Sequence, residues 1–369
     1  MLLYEVDQAG TVCLHVERTI GTVSQQTKVT LPRVAVAGSL NMDLVISMER
    51  MPKAGETLSG SALHTLPGGK GANQAAGCAR MGAETAMIGR VGRDAFGGQL
   101  LEQMRRMGVN TAGIGEHESA PTGIASIYHT REDNCIVIVA GANGECDESW
   151  IESNRGAIEE AQVLLVQLEI PLPAVQRALE IARAAGVVTV LNPAPARELP
   201  RELLELADYI TPNETEFAEL SGTSAESETE LREAISAWQS QVGSRVIITR
   251  GSAGSSFLGV DGQLLTASAP KVEVVDTTGA GDTLNAALCV KLAELIGERG
   301  EQRQAEDGAE AKETSLGATP VGDAELLESL RFAVQAASLA VTRFGAQDGL
   351  PSREEVEQAL ALAATAAGE

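Results

Sequence analysis

Apolar and polar positions fall into order at Arg33-Val34-Ala35-Val36-Ala37-Gly38, a short apolar run that ends on glycine. Such a run reads as a buried strand and its turn. Beyond it, apolar runs alternate with amphipathic stretches. Residues 71–82 predict a helix of small residues, 86–89 a strand, and 95–107 a helix that Gly108 caps. The β-rich runs 123–129 and 134–140 flank Arg131-Glu132-Asp133 and predict a hairpin. There follow a strand at 163–167, a helix at 173–185, a strand at 187–191, a helix at 198–206, a strand end at Tyr209-Ile210 and a strand at 246–249. A helix over 284–295 comes next, and the Ala/Leu/Val stripe at 332–341 reads as core packing. This rhythm predicts an α/β fold, a doubly wound, mostly parallel sheet with helices on both faces. Ligands of such sheets collect beyond the carboxyl ends of the strands, and most of the polar signatures below sit there.

Two stretches break the rhythm. In residues 1–31, Val12, Leu14 and Val16 alternate as in a short strand, which reads as an appended hairpin or a loose extension. Residues 298–322 are charged and small with few apolar anchors, and read as a flexible, solvated acidic insertion between two helices.

Charge and composition narrow the function. The 369 residues carry 51 Asp and Glu against 28 Lys and Arg, a formal net charge of -23. That balance argues against nucleic acid as a partner, because phosphate neutralisation needs Lys and Arg. An anionic substrate must find local positive potential here. Five scattered cysteines, Cys13, Cys78, Cys135, Cys146 and Cys289, include no CxxC pair, which argues against a disulfide framework or a zinc site and favours the cytoplasm. The opening MLLYEVDQAG lacks the basic and apolar regions of a secretory signal. No apolar run approaches a membrane span. The four histidines form neither ligand spacing nor a triad.

Candidate chemistry lies in six segments. Asp276-Thr277-Thr278-Gly279-Ala280-Gly281-Asp282-Thr283 precedes a helix, where small residues let backbone N–H groups and the helix dipole hold an anion. Asp282 there reads either as a base that takes a hydroxyl proton during phosphoryl transfer or as a plain N-cap. Pro67-Gly68-Gly69-Lys70-Gly71-Ala72-Asn73-Gln74 fails the P-loop pattern, since Gly71 stands where Ser or Thr belongs, and fails the dinucleotide pattern at Gln74. It reads as backbone approaching a small ligand, flanked by Lys70 and Asn73, or as a simple loop into a helix. Asn41 and Asp43, two apart, point the same way and suit neighbouring hydroxyls or an Asx turn. Glu169 ends a strand as a hydroxyl acceptor or a solvated carboxylate. Thr211-Pro212-Asn213-Glu214-Thr215-Glu216 suits a Mg²⁺ held through water or a capping box. Thr249-Arg250-Gly251-Ser252-Ala253-Gly254 suits a nucleotide loop or a tight turn.

In order and spacing these segments resemble the ribokinase family of carbohydrate kinases over roughly residues 33–360. The resemblance adds Gly123 in the hairpin, Asn192-Pro193-Ala194-Pro195-Ala196, and Ala340-Val341-Thr342-Arg343-Phe344-Gly345-Ala346-Gln347. The Asn192 segment, with Gln167-Leu168-Glu169 before it, is more like the family's ribose kinases than its fructose or adenosine kinases. The family pattern implies that Asp282 is the general base for the sugar's 5-hydroxyl and that the amides of Gly279, Ala280 and Gly281 form an anion hole. It implies a sugar site of Asn41, Met42, Asp43, Gly69, Lys70, Gly71, Ala72, Asn73 and Glu169. ATP would lie against Asn213, Thr249, Arg250, Gly251, Ser252, Ala253, Gly254 and Gly281, with Glu216 acting indirectly on Mg²⁺. A monovalent cation, usually K⁺, would sit at Asp276, Thr278, Ala340, Arg343, Gly345 and Gly349. The family fold also carries a small β lid, here about 44–66 and 121–140, through which a homodimer forms; 361–369 is left as a tail. The chain departs from the pattern at Leu284 (usually Phe), at Val334 (often His or Asn near the adenine) and at Gly349 (usually Ser).

Overall fold

The computed structural model describes residues 3–6, 12–15, 31–130, 134–225, 227–307 and 321–367. Among them, nine strands form the main sheet in the order Leu264–Ala267, Ser255–Leu258, Arg245–Thr249, Tyr209–Ile210, Val188–Leu191, Val163–Val166, Arg33–Ala37, Glu84–Gly92, Asn110–His117. Neighbours are parallel except for the antiparallel pairs that Ser255–Leu258 makes on both sides. The central strands Val163–Val166 and Val188–Leu191 are buried at every position, as continuous apolar runs in a two-sided parallel sheet must be. Along Arg33–Ala37 the faces alternate: Val34 and Val36 join one apolar core, Ala35 and Ala37 the other.

From Arg33–Ala37 the chain first adds Glu84–Gly92 and Asn110–His117 on one side, then Val163–Val166 and its successors on the other. The reversal opens a crevice at the carboxyl ends of Arg33–Ala37 and Val163–Val166. Gly38 lies there because any Cβ would overlap Gln167 Oε1.

A second sheet stands over that crevice, in the order Ala62–Gly68, Asn41–Ser47, Gly123–His129, Asn134–Val139. Asn41–Ser47 runs antiparallel to Ala62–Gly68 and parallel to Gly123–His129, and Gly123–His129 pairs antiparallel with Asn134–Val139. Two helices lead out of the crevice side by side, Lys70–Arg80 and Ala280–Asp307. Their approach is tight at Gly77, where a Cβ would lie 2.6 Å from that of Ala286.

The backbone corrects the sequence reading of 298–322 in part. Residues 298–307, read as loop, continue the helix Ala280–Asp307, and the chain re-enters helix at Asp323–Ala340. Glu, Arg and Gln are good helix formers, and the helix runs through Gly297 and Gly300 without stopping; residues 308–320 lie outside the described residues. The helix read at 198–206 is shorter, Arg201–Leu204, bounded by Pro200. Near the N-terminus, Leu3–Val6 pairs antiparallel with Val12–His15; the rest of the first 30 residues and Arg131-Glu132-Asp133 lie outside the described residues. Among the described residues no helix is long and apolar enough to cross a membrane.

Candidate active site

Asp282 stands in the first turn of Ala280–Asp307, only 9% exposed. Helix N-termini carry unsatisfied N–H groups and positive dipole ends, which favour a carboxylate there. Side-chain amides hold both of its oxygens: Asn73 Nδ2 donates to Oδ2 at 2.9 Å and Gln74 Nε2 to Oδ1 at 2.9 Å. Asp282 lines a cavity of about 200 Å³ with Lys70, Asn192, Asn213, Glu216, Gly279, Ala280, Gly281 and neighbours. Gly279 adopts φ 78°, and a Cβ there would lie 2.9 Å from that of Ala346, so the turn rests directly on the 340–349 loop. The N–H of Ala280 reaches Thr277 O at 3.2 Å, a long bond that an arriving anion would compete for.

On the crevice side, Asn41 is buried, and Asp43 follows it on the same face of the strand. Burial, more than the charges of Glu169 and Asp282, pushes the Asp43 carboxyl up to about 7, against the pull of Lys70. Burial lowers Lys70, but the carboxylates of Asp282, Glu169, Glu216 and Asp43 outweigh it and leave the ammonium above its usual value. Lys70 therefore keeps its positive charge amid these carboxylates. Glu169 Oε2 accepts from Ser39 Oγ at 2.5 Å and from Lys70 N at 3.2 Å, which ties the two strand ends of the crevice together.

The Gly68-Gly69-Lys70-Gly71 segment, read as backbone approaching a small ligand, packs closely against the chain itself. A Cβ on Gly69 (φ 90°) would lie 2.6 Å from Asn41 N, and one on Gly71 2.5 Å from Ser39 N. Met42 and Ala72 are turned away from the crevice into the core, because they alternate with the polar positions on strand and helix.

A second cavity, about 570 Å³, shares Thr249, Thr277, Ala280 and Gly281 with the first. Gly251, Ser252 and Gly254 line it, with aliphatic walls from Val272, Val274, Leu284, Val334 and Val341. Arg250 and Ala253 do not: the Arg250 guanidinium turns to Ser256 Oγ at 3.2 Å and to Glu214 and Glu228 at 3.4 and 3.5 Å. Asn213 and Glu216 face the Asp282 cavity while forming a capping box: Asn213 Oδ1 accepts from Glu216 N at 2.7 Å and Glu216 Oε2 from Asn213 N at 2.8 Å. Burial raises the Glu216 carboxyl above its ordinary value, partly offset by the Asn213 N–H.

Beside the Gly279 turn, Asp276 bridges two loops. Its Oδ1 accepts from Thr278 N and its Oδ2 from Gly345 N, each at 2.9 Å. Burial works to raise this carboxyl, but the hydrogen bonds outweigh it and hold it below its usual value. The carbonyls of Gly345 and Ala340 converge on one point, since a Cβ built on Gly349 would lie 2.6 and 3.3 Å from them. The Arg343 side chain leaves the loop for Glu355, at 2.6 Å.

Residues 31–353 match the model of the family described as pfkB family carbohydrate kinase. The chain belongs to the pfkB family of carbohydrate kinases. It is 38% identical over 331 residues to the ribokinase of Bacillus subtilis, covering 89% of this chain and 99% of that one. The structure of Arabidopsis thaliana ribokinase complexed with ribose and ATP matches with a TM-score of 0.76 at 32% identity, over 89% of this chain and 98% of that one. Ribokinase from Giardia lamblia matches with a TM-score of 0.78 at 30% identity, over 90% and 99%.

Several residues of this pfkB kinase escaped the sequence reading of its site. Gln74, fully buried, reaches Asp282 directly, and Gln347 Nε2 donates to Asn73 Oδ1 at 3.1 Å. Asn143, fully buried, holds Leu40 and Asn41. Gln74 and Gln347 stand inside segments the sequence had singled out, and full burial of an amide is the signal that separates them. Asn143 sits in no such segment, and nothing local marks it.

Proposed function

We propose that this carbohydrate kinase transfers the γ-phosphoryl group of ATP to the 5-hydroxyl of ribose, with Asp282 as the general base. One observation carries the reading: Asp282 lies where the polar crevice meets the cavity that shares the Gly279 turn with its larger aliphatic neighbour. The curated relatives and structural neighbours named ribokinase support ribose as the acceptor. In this reading Asn41, Asp43, Gly69, Lys70, Gly71, Asn73 and Glu169 hold the sugar. Such a set of buried acceptors and donors suits a polyol, because an analogue lacking a hydroxyl strands a polar group. Asp282 removes the hydroxyl proton as the oxygen attacks the γ-phosphorus in line and the bond to ADP breaks. The amides of Gly279, Ala280 and Gly281 take up the charge that grows on the phosphoryl oxygens. ATP spans the two cavities, its base among the aliphatic side chains beside Val334 and its phosphates near Asn213, Thr249 and Gly281.

Mg²⁺ belongs with the ATP phosphates; among the described residues no cluster of carboxylates, His or Cys forms an all-protein site, in keeping with an ion that keeps its waters. Glu216 and Asn213 face the cavity where those waters would lie. A monovalent cation fits the carbonyl cradle at Ala340 and Gly345, with Asp276, Thr278, Arg343 and Gly349 around it, and would supply positive charge beside the anion-hole amides. A homodimer through the small sheet is supported by its apolar exposure: Leu63, Ile136, Val137, Ile138 and Val139 are each 46–63% exposed. Free Cys78, Cys135, Cys146 and Cys289 accord with a reducing compartment such as the cytoplasm.

A coupled ADP-release assay with MgATP and K⁺ across ribose, 2-deoxyribose, fructose and adenosine tests the substrate. Turnover is expected to be highest on ribose; preference for another member of the panel would move the assignment to that acceptor.

A further inference from the structure

Gln74 sits, wholly buried, in the helix Lys70–Arg80, among Ala72, Ala75, Ala76 and Cys78. Nothing about core packing asks for an amide there. Its Nε2 donates to Asp282 Oδ1 at 2.9 Å and to Asn192 Oδ1 at 3.0 Å, while its Oε1 accepts from Gln167 Nε2 at 2.5 Å. Turned over, the amide would set its oxygen against two acceptors, the carboxylate and Asn192 Oδ1, so Asn192 fixes which end meets Asp282. Of the two partners Asn192 is anchored in turn, whereas Gln167 Oε1 is buried without a hydrogen-bond partner. Asn192 Nδ2 donates to Thr211 O at 3.1 Å, Thr211 Oγ1 to Asn285 Oδ1 at 2.5 Å, and Asn285 Nδ2 to Gly281 O at 2.9 Å. The chain of bonds thus returns to the turn that bears Asp282.

A buried amide amid alanines that spends its hydrogen bonds on a carboxylate at a cavity answers to that carboxylate rather than to packing. We infer that Gln74 is a positioning residue for Asp282: it holds one carboxylate oxygen so that the remaining lone pairs face the acceptor hydroxyl. The inference rests on Asp282 being the base. Asn73 does the same for Oδ2, but Asn73 also belongs to the proposed sugar site, whereas Gln74 lines neither cavity.

Gln74→Met replaces the amide by a chain of similar volume. A hydrogen bond to a charged group is lost, so kcat on ribose is expected to fall by about 10–10²-fold. The ribose KM should stay within about threefold, since the interaction acts on the base rather than on bound sugar. The acid limb of the kcat profile should move to higher pH, because the carboxylate has lost a donor. A folded Gln74→Met enzyme with an unshifted acid limb overturns the inference. If that variant does not fold, Gln167→Met leaves Gln74 in place but removes the donor to its Oε1 and loosens it, and should show the same shift in smaller measure; an unshifted limb there overturns it equally. Asp282→Asn separates this from the parent reading. Activity near wild type in Asp282→Asn sinks both, whereas an inactive Asp282→Asn beside a Gln74→Met enzyme of unchanged pH profile sinks the positioning role alone.

Discussion

Asn143 Nδ2 donates to Asn41 Oδ1 at 2.8 Å, across 102 positions of sequence. The same side chain brackets the residue before it: Oδ1 accepts from Leu40 N at 2.9 Å and Nδ2 donates to Leu40 O at 3.0 Å. The segment that leaves the small sheet after Asn134–Val139 therefore fixes the point where Asn41–Ser47 enters it. With Asn41 Oδ1 engaged, its NH₂ is the end left for a ligand. Gly123 makes room for the pair, since a Cβ there would overlap both side chains.

Replacing Asn143 by Ala should then act on sugar binding more than on turnover. Asn41 loses its orientation, and an approximately tenfold rise in ribose KM is expected, with stability lower by about 1–3 kcal/mol because the Leu40 groups are left unpaired. Steady-state kinetics and urea unfolding read the two effects; an unchanged KM with lowered stability would make Asn143 purely structural.

Gly77 sets how closely the helix bearing Asn73 and Gln74 approaches the helix bearing Asp282. A Cβ at 77 meets that of Ala286 at 2.6 Å, so Gly77→Ala should push the helices apart and cost about 1–3 kcal/mol, with a loss of kcat as the amides leave Asp282. Gly77→Ala combined with Ala286→Gly restores the space and should recover both. A double variant no better than the single one would locate the damage elsewhere.

Asp43 carries the sharpest pH signature. Its carboxyl, raised by burial from 3.8 to about 7, keeps a proton in the native protein that the unfolded chain has lost between those values. Native protein thus binds more protons across that window, and the group's contribution to stability, full at pH below about 4, is lost as pH rises through about 7. Asp43→Asn is expected to be more stable than wild type at pH 8, with the difference shrinking toward pH 4. Sugar hydroxyls donate to the charged form, so wild-type protein at pH 6 should release a proton on binding ribose. Calorimetry in buffers of different ionisation enthalpy detects it, and binding enthalpies that do not vary with buffer would contradict the role.

The fold was legible where periodicity is strong. Residues 33–37 and 163–166 read as strands because both faces are buried and the runs are unbroken apolar. Asp282 and its small-residue turn stood out because small residues before a helix let N–H groups converge on an anion, and the choice between a base and a plain N-cap needed the third dimension. Adjacency in sequence carried less: Met42 and Ala72 lie among polar neighbours yet face the core, because period-2 and period-3.6 geometry turns alternate residues away. Arg250 likewise sits in the right loop with its charge aimed at Glu214. Asn143 and the Gly77–Ala286 contact were invisible, since each depends on a partner more than a hundred positions away that no local pattern announces.

The central claim is that Asp282 takes the proton from the sugar hydroxyl, and Asp282→Asn tests it most directly. The amide keeps the shape, while it cannot serve as a base. Ribose binding measured by calorimetry should persist, and kcat should fall by about 10²–10⁴-fold, the usual size of a general-base contribution. A folded Asp282→Asn protein that turns over ribose at close to the wild-type rate would contradict the account.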